Sequence, residues 1–96
     1  MIAILELTFK PETVETAQKV MARVLKETRE FDGCIRVDNV LDAKNPNTWR
    51  VIETWESMDH DAAYRRFRAG EGAITDLGSL LAGPPSLSKG TLDASI

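Results

Sequence analysis

The chain has 96 residues, 43% of them hydrophobic and 28% charged, with a net charge of −3 and a single cysteine. That balance fits one globular domain over residues 1–96 and excludes a disordered or membrane-embedded chain. The acidic pI of about 5.1 argues against nucleic acid or an anionic membrane as partner.

Ile2 to Phe9 is apolar and β-branched or aromatic, broken by Glu6 and Thr8, and reads as a buried strand. Pro11 follows at a position where helices accept proline, with Glu12 and Glu15 at the positive end of the dipole. Val14, Ala17, Met21, Val24, Leu25, Thr28 and Phe31 then recur at three and four, predicting an amphipathic helix that ends before Asp32-Gly33. Cys34 to Leu41 and Thr48 to Glu56 alternate, and the turn-rich Asp42 to Asn47 joins them into an antiparallel hairpin. Ser57 is a good N-cap for a helix running to about Phe67. Gly70 and Gly72 interrupt it. Ile74, Leu77 and Leu81 restart a helical spacing, which Gly83-Pro84-Pro85 stops. Ser86 to Ile96 supplies a last strand through Leu87 and Leu92. The order is βαββαβ, predicting a ferredoxin-like α+β fold with an antiparallel sheet.

A domain of this size buries only about 60–65% of its unfolded surface. Cys34 has no partner for a disulfide, so a partner subunit is expected to add stability. The first residues lack the features of a signal peptide, and no 18-residue apolar run exists. With a lone cysteine, these features predict a reducing cytoplasm.

Facing residues of an antiparallel pair share a side. Opposing Leu41 to Trp49 puts Asn39 opposite Val51, Val37 opposite Glu53 and Ile35 opposite Trp55. This mostly apolar face should meet the helices, and Asn39 and Glu53 are its polar exceptions. Such groups must be paired or border a cavity. The other face mixes Cys34, Arg36, Asp38, Arg50 and Glu56 with Val40 and Ile52, and suits a sheet-to-sheet contact between two copies. The basic run Tyr64 to Arg68 reads as the solvated face of its helix.

Three stretches carry a resemblance. "FDGCIRVDNVLDAKNPN" is a helix end, Gly-Cys, a strand, then an acidic loop with Asn-Pro. "WRVIETWES" is a strand ending in Trp-Glu-Ser, and "MDHDAAYRRF" is the helix after it. In this order and spacing they resemble the antibiotic biosynthesis monooxygenases, small dimeric α+β barrel proteins. The match is good over Ile2 to Phe67. The resemblance implies a homodimer of two face-to-face sheets, with a pocket between sheet and helices in each subunit. Some relatives oxygenate phenolic or quinol-like aromatics without metal or flavin, and others degrade haem. Relatives commonly carry a His where this chain has Tyr64, and a second His in the region that here reads "FRAGEGA". The only histidine, His60, lies at a helix start, which speaks against haem degradation.

One His and one Cys far apart form no metal site, and no glycine-rich phosphate loop follows a strand. The chemistry that the resemblance implies is oxygenation without a cofactor. A phenol or enol is deprotonated and its anion meets dioxygen in an aromatic-lined pocket. Asn39, Glu53, Trp55 and Tyr64 are the candidate catalytic residues: an amide, a base if burial raises its pKa, an indole donor and a proton relay. Phe9, Trp49 and Phe67 are candidate walls for a small hydrophobic or aromatic ligand. The alternatives are a non-catalytic ligand-binding or stress-related dimer, and isomerase or lyase chemistry using Glu53 with Tyr64.

Overall fold

The computed structural model describes residues 1–96. Strand β1 (Ile2–Thr8) leads through a 3-10 turn at Pro11–Thr13 into helix α1 (Val14–Glu30). Strands β2 (Cys34–Leu41) and β3 (Thr48–Trp55), helix α2 (Met58–Ala69) and strand β4 (Ser86–Gly90) follow. The four strands form one sheet in the order β2-β3-β1-β4 with every pair antiparallel, the expected ferredoxin-like arrangement.

Period decides what is buried. In α1 the residues Ala17, Val20, Met21, Val24, Leu25 and Thr28 are buried at spacings of three and four, so one stripe lies on the sheet. In β3 the buried Trp49, Val51, Glu53 and Trp55 alternate, giving the helix-facing row. The main core joins the apolar residues of the α1 stripe, with Trp49 and Val51, to Leu7, Phe9 and Val37, and a smaller one gathers Ala3, Trp55 and Tyr64.

The β2–β3 turn is fixed locally. Asp42 Oδ2 accepts the backbone N–H groups of Asn45 and Lys44 at 2.8 and 3.0 Å, and Asp42 Oδ1 accepts Arg50 Nη1 at 2.9 Å. These donors, the Asn45 amide foremost, hold the Asp42 carboxyl below its ordinary range. Between α1 and β2, Gly33 adopts φ +85°, a conformation only glycine enters freely. A Cβ built there would stand 2.2 Å from the His60 ring.

Three expectations need correction. Leu41, Asn39 and Val37 do oppose Trp49, Val51 and Glu53, but a bulge between Cys34 and Arg36 puts Cys34, not Ile35, opposite Trp55. One extra residue reverses the alternation, so Ile35 points out at 62% exposure and Cys34 packs against both cores. Ile74 to Leu81 contains no α-helix, only a 3-10 turn at Gly78–Leu80. Ile74, Leu77, Leu80 and Leu81 still pack on the main core, so their spacing reflects burial by a loop. The last strand stops at Gly90, leaving Leu92 outside it.

Candidate functional site

Three of the candidate catalytic residues meet where the end of β3 passes under α2. Glu53 alternates inward on the same strand as Trp55, and its Oε1 accepts the Trp55 indole N–H at 3.0 Å. The same oxygen accepts Arg65 Nη2 at 2.6 Å. Arg65 also donates through Nε to Asp61 Oδ1 at 3.2 Å, and the Lys89 ammonium of β4 stands 2.6 Å from Asp61 Oδ2. That last contact is an ion pair by distance without good hydrogen-bond alignment, since Asp61 Oδ2 has no aligned donor. The run Tyr64 to Arg68 is thus not a solvated face. Arg65 and Arg68 turn inward, and Arg66 is the exposed one. The signal was available: Asp61 and Arg65 are spaced i, i+4, and a carboxylate on the apolar row of β3 needs a cation.

Tyr64 lies with its ring centroid 5.0 Å from that of Trp55 and 5.2 Å from Phe31, and Phe67 stands 5.3 Å from Phe31. Its hydroxyl is 2.7 Å from Thr28 Oγ1 and accepts Arg68 Nε at 2.8 Å. Thr28 has one hydroxyl proton, which goes to the Val24 carbonyl at 2.9 Å. Tyr64 must therefore donate to Thr28, and the order runs Arg68 to Tyr64 to Thr28 to the α1 backbone. Trp55, Glu53 and Tyr64 are 1%, 2% and 3% exposed and wall no cavity.

The largest cavity, about 420 Å³, opens beside them. Its walls are Phe67 and Arg68 of α2, Arg23 and Glu27 of α1, and the loop from Glu71 to Asp76. Gly72 allows this loop to fold against Phe67, because a Cβ would lie 2.2 Å from the ring. Arg23 pins the loop's far end by two bonds to Asp76, at 2.7 and 3.0 Å, and this pairing holds the Asp76 carboxyl below its ordinary range. The Arg68 guanidinium spends its N–H groups on Tyr64, the Val24 and Gly72 carbonyls, Thr28 and Glu27. Only the Glu27 carboxylate, 3.1 Å away and 54% exposed, sits on the open side. Sequence reasoning missed Arg68 and Glu27. Arg68 is four residues from Tyr64, on the same helix face, and that spacing was the clue.

Asn39 does not join this group. It shares a sheet face with Trp55 but opposes Val51. Four residues along a strand at about 3.3 Å each separate the two by roughly 13 Å. Asn39 and Trp49 instead border a second cavity, of about 260 Å³, between α1 and β2. Phe9 packs edge-on to Trp49 with centroids 4.6 Å apart, within the core. Cys34 borders the small core beside Glu53, and burial foremost, then the Glu53 charge, pushes its thiol pKa up. No group of three or more His, Cys, Asp or Glu is placed to hold a metal ion, and no helix is long and apolar enough to cross a membrane.

The family model for antibiotic biosynthesis monooxygenases matches residues 1–73. The chain belongs to that family. Similar solved structures include a conserved protein from Methanosarcina mazei Go1, at TM-score 0.79 and 19% identity, over 91% of this chain and 87% of that one. A candidate antibiotic biosynthesis monooxygenase from Deinococcus radiodurans has TM-score 0.79 and 18% identity, over 99% and 96%. Another from Nitrosomonas europaea has TM-score 0.75 and 16% identity, over 96% and 98%. At these identities the likeness shows the shared fold. No curated protein matches the chain. The family match ends at Ala73, inside the loop that walls the larger cavity.

Proposed function

We propose that this monooxygenase-family protein oxygenates a small phenolic or quinol-like aromatic bound in the cavity of about 420 Å³. The observation that carries the reading is Arg68, a largely buried cation at the cavity wall whose one exchangeable partner is the half-exposed Glu27. A phenolate oxygen displaces that carboxylate and meets the guanidinium. Phe67 and Ile74 supply the apolar wall for its ring. Glu27, released, takes the phenol proton. Tyr64 is a positioning residue: its hydroxyl fixes Arg68 Nε and, through Thr28, ties Arg68 to α1.

The reaction balances without an external reductant. The phenolate gives an electron pair from a ring carbon to dioxygen, forming a carbon–oxygen bond and, after protonation, a hydroperoxide. Loss of the proton on that carbon breaks the oxygen–oxygen bond. One oxygen stays as a carbonyl and the other leaves as water, so a phenol becomes a quinone. In this reading the buried Glu53 and Trp55 shape the α2 end of the site through Arg65 and the Tyr64 ring, and do not touch the substrate.

The partner in this reading is a second copy of the chain. The sheet face away from the helices carries Ile4 and Val40 exposed, with Ile2 and Ile52 half-buried between the strands, and a sheet-to-sheet dimer would cover them. Light scattering on the eluting protein should give twice the 10.7 kDa chain mass.

The completed hydrogen bonds of Glu53 and Tyr64 also suit a ligand-binding dimer that does no chemistry. An oxygen electrode separates the two readings. Hydroquinones and polycyclic phenols should drive saturable oxygen uptake that falls at least about tenfold in R68K. Uptake no faster than without protein, across the whole panel, would leave only the binding reading.

A further inference from the structure

We propose that the cavity walled by Arg68 selects its substrate by charge, taking a molecule that carries a protonated amine, with Glu71 as the residue that recognises it. The inference rests on that cavity being the substrate site. Its charged lining sets two arginines, Arg23 and Arg68, against three carboxylates, Glu27, Glu71 and Asp76, so the wall carries one negative charge in excess. Both cations are already paired. Arg23 is clasped by both oxygens of Asp76, at 2.7 and 3.0 Å. Every N–H of Arg68 has an acceptor in Tyr64, Glu27, Gly72, Val24 or Thr28. Glu71 alone among the charged lining residues has no opposite charge beside it.

That imbalance ranks ligands by charge. Passing a substrate proton to Glu27 leaves the excess unchanged, because the charge only moves within the site. An ammonium on the same molecule brings site and ligand to neutrality. A carboxylate doubles the excess, and to reach a second cation it would have to displace Asp76 from Arg23. A neutral substituent leaves Glu71 to water and falls between the two. Glu71 adjoins Gly72, whose carbonyl accepts Arg68 Nη1 at 3.1 Å, so a molecule seated at Arg68 meets Glu71 through a short flexible arm. The volume of about 420 Å³ holds one ring with such an arm. Glu71 is exposed, so the discrimination has the size of a surface ion pair and is screened by salt.

The test is titration of the full-length, nitrogen-15-labelled protein under argon with tyramine, p-ethylphenol and p-hydroxyphenylacetate, which put a cation, a neutral group and an anion on the same ring. Saturable movement of the Gly72 amide signal is expected, with tyramine binding about fivefold tighter than p-ethylphenol at low salt and p-hydroxyphenylacetate weakest. E71Q should bring tyramine to within about twofold of p-ethylphenol, and E71K should place the anion first. E12Q removes a charge from the turn before α1, outside the cavity lining, and should keep the order. It separates recognition at the cavity from the charge of the whole chain. No saturable shift at Gly72 with any of the three compounds would overturn the proposal. So would equal affinities, an order that survives E71Q, or one that E12Q removes as fully. The charge order is read without dioxygen, so it stands or falls apart from oxygen uptake.

Discussion

Arg65 reaches from α2 to place Nη2 2.6 Å from Glu53 Oε1, the same oxygen that accepts the Trp55 indole N–H. The aromatic end of β3 is therefore held to α2 by a charged contact as well as by rings. Buried pairs of this kind contribute little net stability when intact and cost much when halved. R65M should destabilise the fold by about 3 kcal/mol in urea unfolding, because Glu53 keeps only a neutral donor. The double variant E53L/R65M should regain only part of that loss, because it also leaves the buried Trp55 indole N–H without its acceptor. A double variant no more stable than R65M would show that Glu53 needs no counter-charge.

Gly33 and His60 give a second prediction, in which two effects can be separated. G33A forces φ +85° on an L-residue, at about 1–2 kcal/mol. It also drives a methyl group into the His60 ring. The total should exceed about 2 kcal/mol, and in an H60A background only the backbone part should remain. Equal losses in both backgrounds would show that the ring moves aside freely.

Thr28 is the sole acceptor for the Tyr64 hydroxyl. T28V keeps the shape of the side chain but leaves a buried O–H unpaired, and should cost about 1–3 kcal/mol. T28S should restore most of it. If Tyr64 positions Arg68, T28V and Y64F should also raise KM for the phenol more than they lower kcat.

Asp42 makes the fold pH-dependent with a definite sign. Its native carboxyl lies below the ordinary range, so the unfolded chain binds a proton first as pH falls. The stabilisation it provides is complete above the ordinary carboxylate range and lost as pH drops through the depressed native value. Asp76, held down by Arg23, acts in the same direction. Thermal unfolding should show stability falling between about pH 5 and pH 2. D42N should start less stable at pH 6 and fall less steeply. A D42N slope equal to that of the parent would remove Asp42 from the account.

The sheet was readable from residue type because alternation is a local rule: the pairings of Leu41, Asn39 and Val37 followed from where apolar residues must point. The bulge at Cys34 was not, since nothing in "GCIRV" marks which residue is extra. The loop from Gly70 to Leu81 misled because burial imposes helix-like spacing on apolar side chains even in irregular backbone. For the site, a shared face was mistaken for a shared place. Trp55 and Asn39 point the same way but stand roughly 13 Å apart, and only Asn39 borders a cavity. Arg68 stayed hidden because a basic run looks solvated until the buried groups that need it are known.

The central claim is transfer of one oxygen atom from dioxygen to a phenolic substrate at the Arg68 cavity. Turnover under oxygen-18 gas, with the product weighed by mass spectrometry, tests it most directly. The account predicts a quinone carrying a single oxygen-18 atom, formed by the protein and strongly reduced in R68K. Product without the label, or label appearing at the same rate without protein, would contradict it.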